Sequence, residues 1–121
     1  MTGNQLENRL DEIRQRFASK LDAKFKETDE ALPLLSGSGS VSLDAVGAAY
    51  RRFHEICGTG RTLGFNRLGE AAGRAEAVLL EPYQTHRALT DQEVTALKQS
   101  LEQLRAAAAT ELQSQSAKHG S

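Results

Sequence analysis

Residues 42–65 read SLDAVGAAYRRFHEICGTGRTLGF. Within them Val46, Ala49, Phe53, Ile56, Gly60 and Leu63 recur at alternating steps of three and four, the repeat of an amphipathic α-helix. Ser42 stands in an N-cap position and Gly64 in a terminating one, so the spacing predicts a helix over about 43–63. At 100° per residue the six positions share one arc, centred about 120° from His54. His54 therefore lies at the edge of the core, with Arg51, Gly58 and Arg61 beside it on the wheel. A glycine inside a helix costs about 1 kcal/mol relative to alanine. Gly60 faces the core and reads as packing. Gly58, one turn from His54, reads as clearance for something that approaches the histidine.

The same periodicity extends in both directions. Leu6, Leu10, Ile13, Phe17, Leu21, Phe25 and Leu32, with Thr28 in the one gap, predict a first helix over about 4–32, stopped by Pro33. Ser36 to Ser40, alternating Ser and Gly, is a flexible connector. Phe65, Leu68, Ala72, Ala75 and Leu79 predict a third helix over about 65–80 that stops before Pro82, and 81–89 reads as a loop. Thr90 and Glu93 have the spacing of a capping box, flanked by Leu89 and Val94 as a hydrophobic staple. They start a fourth helix over about 91–112 on Val94, Leu97, Leu101, Leu104, Ala108 and Leu112, with 113–121 a polar, fraying tail. Short runs of alternating β-branched residues are missing. The expected fold is all-α, an antiparallel up-down four-helix bundle, with residues 1–121 as a single domain. Its core gathers around Leu10, Phe17, Phe53, Ile56, Leu68, Leu79, Leu97 and Leu104.

Composition removes several functions. The 15 basic and 16 acidic residues leave a net charge of -1, unlike an electrostatic nucleic-acid binder. With no Trp, two Tyr and four Phe, a base-stacking surface has little to build on. Cys57 is the single cysteine, which excludes an internal disulfide and suits a reducing compartment. The N-terminus has neither the basic start nor the apolar run of a secretory signal, and no apolar stretch nears the ~20 residues of a membrane span. A soluble cytoplasmic protein is expected. His54 and Cys57 form an i, i+3 pair, but no second Cys and no helix-spaced His completes a metal site, so no metal is expected. Cys57 reads as a small apolar filler, and His86 and His119 as incidental.

The run His54-Glu55-Ile56-Cys57-Gly58-Thr59-Gly60-Arg61-Thr62-Leu63-Gly64-Phe65 resembles the signature of histidine phosphotransfer (HPt) domains. It is most similar to that of the phosphotransfer domain of chemotaxis histidine kinases. The signature is His, two residues, Lys, Gly, then small residues closing in aliphatic-Gly-Phe, and it aligns without a gap. The resemblance implies a phosphoacceptor role for His54. It also implies that an acidic or amide side chain on the next helix orients the ring, and the matching position is Glu76. The distances agree: His54 lies ten residues before Gly64 and Glu76 twelve after it, or ~15 and ~18 Å along antiparallel helices. The chain departs from the family in carrying Cys57 where Lys is usual and Arg61 where a small residue is usual.

The chemistry follows from what an acceptor needs. A carboxylate that takes the Nδ1 proton fixes the tautomer and leaves the Nε2 lone pair outward. Arg51 and Arg61 are placed to offset the charge of the arriving phosphoryl group. Gly58, Tyr50 and Phe65 belong to the expected docking face. No Gly-rich phosphate loop or magnesium carboxylate cluster is visible, so the domain needs no cofactor of its own. ATP and Mg²⁺ belong to the partner. The implied partners are a histidine kinase and the receiver domain of a response regulator, met by a monomer and without nucleic acid or membrane. Two other readings are an HPt-fold binding module that has lost phosphotransfer, marked by Cys57 and Arg61, and a purely structural bundle or homodimer built on the long first helix.

Overall fold

The computed structural model describes residues 3–120, with side chains described as far as residue 112. Four helices follow in order: α1 (Gly3–Leu35), α2 (Ser40–Thr62), α3 (Asn66–Gln84) and α4 (Asp91–Gly120). No strand occurs among the described residues. Helix α2 packs on α3, α3 on α4, and α1 on α2, with a thinner seam between α1 and α4 closing the antiparallel bundle. Every apolar position of the arc on α2 is buried, and Phe53 and Ile56 are wholly so. Leu68, Leu79, Leu97 and Leu104 complete the centre from α3 and α4. Thr28, buried within the α1 stripe, bonds the Lys24 carbonyl through its hydroxyl and accepts from Arg52.

The turn between α2 and α3 explains why Gly64 and Phe65 occur together. Gly64 takes φ 90°, a left-handed conformation that glycine adopts without penalty. Its N–H bonds the Arg61 carbonyl at 3.1 Å, and the Phe65 N–H bonds the Gly60 carbonyl at 2.8 Å. This is a Schellman ending, and its apolar partner Phe65 is buried and stacked on Phe17 at 5.9 Å. Side chains from the outer helices finish the two helix ends that meet here. Arg14 Nε donates to the Leu63 carbonyl at 3.0 Å, a cation at the C-terminus of α2. Glu111 Oε1 accepts the Leu68 N–H at 2.5 Å, an anion in the first turn of α3.

Several boundaries differ from those expected. Pro33 does not stop α1, which continues to Leu35. A proline in the last turn removes a single hydrogen bond, and the extra turn buries Leu35 completely. The Leu35 carbonyl then accepts the Leu89 N–H at 2.9 Å. Pro82 likewise sits inside α3, its ring buried, and the helix runs on to Gln84 rather than ending near 80. That ending is a second Schellman turn, with Arg87 N–H on the Pro82 carbonyl and His86 in the left-handed position at φ 52°. His86 thus has a backbone role in ending α3. Helix α2 begins at Ser40, so Ser42 is a buried first-turn residue, and the N-cap is Gly39. Helix α4 extends through the segment expected to fray, to Gly120; Ser121 and the side chain of His119 lie outside the description. Leu6 and Ile13 are exposed and Leu10 is only half-buried, against the expected stripe. Helix α1 overruns the end of α2, which Arg14 marks, so α2 does not reach its first turns.

The start of α4 carries the expected capping box. Thr90 N–H bonds Glu93 Oε1 at 2.9 Å, and Glu93 N–H bonds Thr90 Oγ1 at 3.1 Å. Arg87 grips the same carboxylate through Nη1 and Nη2 at 2.7 and 3.0 Å. The Arg87 hydrogen bonds, and then those from Thr90, lower the Glu93 carboxyl from 4.5 to about 2. A depressed carboxylate stabilises the fold above its unfolded value and loses that contribution as pH falls through the folded one. Glu93→Gln is therefore expected to cost about 1–2 kcal/mol at pH 7. The difference from wild type should narrow below pH 4.5 and close near pH 2, as urea unfolding at several pH values would measure.

Candidate functional site

The central stretch of α2 and the second half of α3 lie side by side and antiparallel, which brings His54 level with Glu76. Their Nδ1 and Oε1 atoms are 2.7 Å apart. An ionised carboxylate only accepts hydrogen bonds, so with a neutral imidazole this contact places the proton on Nδ1 and the lone pair on Nε2. The imidazole is 69% exposed against 20% for the Glu76 side chain. The ring is thus held on one side by a half-buried acid and faces solvent on the other, which leaves Nε2 reachable.

Tyr50 lies one turn before His54 on the same face of α2, and their rings stack at 5.9 Å with planes 15° apart. Behind Tyr50 comes Tyr83, at 4.3 Å and 9°. The Tyr50 phenol is raised above its ordinary value by partial burial, then by the negative charge of Glu76 and a hydrogen bond to it, and then by Tyr83. It stays a donor at neutral pH. Tyr83 did not emerge from the sequence because it lies beyond the expected end of α3. It stands seven residues, two turns, after Glu76 and so on the same helical face.

The other expected residues are placed differently. Arg51 is exposed, but its guanidinium turns back along α2 toward Gly47, away from His54; a Cβ at Gly47 would meet Arg51 Nη1 at 3.4 Å. It lines a groove of about 580 Å³ between α2 and the end of α3, with Tyr83 and His86. Arg61 crosses onto α3, where its stem lies over Gly69 and its Nη2 is 3.6 Å from the Cβ position of Gly73. The half-buried Cys57 Sγ is 3.5 Å from that same point. Phe65, expected on the docking face, is buried instead, because the Schellman turn directs it onto Phe17. Gly58 is exposed, and a Cβ there would meet nothing within 4 Å, so internal packing does not require a glycine. Gly60 is tighter, with Leu68 Cδ2 at 3.0 Å from its Cβ position.

Among the described residues no three His, Cys, Asp or Glu side chains converge on a common point as a metal centre would need. No described helix is long and apolar enough to cross a membrane. Comparison with family models matches the Hpt domain over residues 5–107. Comparison with curated proteins and with solved structures finds no match in either.

Proposed function

The chain belongs to the Hpt domain family, and from that premise we propose that it is a phosphorelay intermediate that carries a phosphoryl group on His54. The observation that carries this reading is the solvent-facing imidazole bound through Nδ1 to Glu76 at 2.7 Å. In the proposed step the Nε2 lone pair attacks the phosphorus of a kinase phosphohistidine or a receiver acyl phosphate. An N–P bond forms as the donor's bond to phosphorus breaks, and the donor atom leaves with the electron pair. The ring becomes cationic and keeps its Nδ1 proton, donated in a hydrogen bond to Glu76, whose negative charge offsets the new positive one. The reverse step delivers the group to a receiver aspartate. The same reading puts the protein in the cytoplasm as a monomer, with a histidine kinase and a response-regulator receiver domain as partners. The test is to mix the protein with phosphorylated kinase or receiver and look for an acid-labile, base-stable label. Tight binding to a receiver without such a label would support the alternative, a binding module of the same fold that has lost phosphotransfer.

Gly58 supplies a second test, because its open surface has no packing role. Gly58→Leu is expected to slow transfer from a receiver about tenfold or more by obstructing close approach. Helix stability should rise by about 0.8 kcal/mol. Labelling of His54 by phosphoramidate, a donor too small to be obstructed, should be unchanged. Unaltered receiver kinetics in a folded variant would place the docking face elsewhere.

A further inference from the structure

The His54–Glu76 contact fixes where one ring nitrogen points, but a single hydrogen bond leaves the imidazole free to swing about it. An exposed side chain with one tether does not hold a reactive lone pair in one direction. The structure supplies a second restraint on the ring. Tyr50 lies nearly parallel to it, and Tyr83 lies nearly parallel to Tyr50, so three rings form one stack across α2 and α3. Both tyrosines are half-buried and pack against the core, so the stack is anchored at the end remote from His54. On α2, Gly47 packs beside Tyr83, where a Cβ would be in ordinary contact with Tyr83 Cε1 at 3.8 Å.

We propose that Tyr50 is a positioning residue for His54: its ring, backed by Tyr83, fixes the imidazole plane. The stack fixes the ring's tilt and the carboxylate fixes its rotation, so together they leave Nε2 with a single heading. Neither tyrosine takes part in bond making. Their effect is on which tautomer and orientation His54 holds before any donor arrives. The consequence for phosphoryl uptake rests on the reading above, but the placement of the ring does not.

The test uses nitrogen NMR of His54 in the unphosphorylated protein, which reports the share of the Nδ1–H tautomer, alongside the rate of labelling by phosphoramidate. Wild type should hold Nδ1–H as the dominant form. Tyr50→Leu removes ring and hydroxyl and should shift the tautomer ratio toward even by about two- to tenfold, the worth of an aromatic contact, with a matching fall in labelling rate. Tyr50→Phe keeps the ring face and should retain most of the wild-type ratio. Tyr83→Leu leaves Tyr50 in place but unbacked, and should shift the ratio in the same direction as Tyr50→Leu and by less. An unchanged ratio in both leucine variants would overturn the proposal. So would a Tyr50→Phe variant as altered as Tyr50→Leu, since the ring face would then contribute nothing. If the ratio moves as expected but wild type never takes a label, the positioning stands and the phosphorelay reading fails.

Discussion

Replacing His54 by glutamine is expected to reduce phosphoryl uptake to background. Among the residues whose side chains are described, His54 is the histidine with a carboxylate on its ring nitrogen. Glutamine has no ring lone pair to attack phosphorus, yet its amide can still donate to Glu76, so the half-buried carboxylate keeps a partner. Substitutions at positions this exposed usually change stability by no more than about 0.5 kcal/mol. Circular dichroism and melting should therefore be nearly those of wild type while the acid-labile label disappears. Labelling that persists at wild-type rate in His54→Gln would move the acceptor elsewhere and remove the ground for the whole site.

Removing Glu76 should have the next largest effect. Partners that orient a functional imidazole commonly contribute about 10- to 100-fold to its activity, and Glu76→Ala is expected to slow labelling within that range. The alanine leaves Nδ1 facing water, so the Nε2–H tautomer, whose reactive nitrogen has no free lone pair, populates as well. Glu76→Gln keeps an acceptor oxygen but not the negative charge, so it should retain tautomer selection and lose only part of the rate. The two variants separate orientation from electrostatics. Nitrogen NMR reports the first and labelling kinetics report both. Identical tautomer populations in wild type and both variants would make Glu76 an ordinary surface acid.

Much of this arrangement is legible in the sequence, for a physical reason. Four amphipathic stripes with short links leave few ways to bury the apolar faces, and residue counting from Gly64 puts His54 and Glu76 level. The sequence reading failed where a local rule met a tertiary gain. Pro33 and Pro82 look like stops, but in a final turn each forfeits one hydrogen bond, while the added turn buries Leu35 in one case and the Pro82 ring in the other. That shortened reading of α3 is what hid Tyr83. The stripe of Leu6, Leu10 and Ile13 promised core because periodicity tells which face is apolar and not whether a partner is opposite it. Helix α1 has 33 residues against 23 in α2, about 50 Å against 35 Å, so α2 does not reach its first turns. Side-chain direction was also invisible. Arg51 and Arg61 flank His54 on the wheel, but one lies back toward Gly47 and the other over Gly69 and Gly73.

Tyr50, His54, Glu76 and Tyr83 all lie on the α2–α3 hairpin, residues 40–84. Such a compact stretch invites excision as a synthetic peptide for partner screening, or grafting onto another scaffold. The hydrogen bonds at its bend argue against both. The Leu63 carbonyl is satisfied by Arg14 and the Leu68 N–H by Glu111, groups that come from opposite ends of the chain. A transplanted hairpin would leave those two backbone groups to water and would expose the apolar backs of Phe53, Ile56, Leu68 and Leu79. The His54–Glu76 surface is therefore inseparable from the two helices that contribute no side chain to it. Engineered partner specificity is better sought by recolouring exposed positions on the intact bundle than by moving the hairpin.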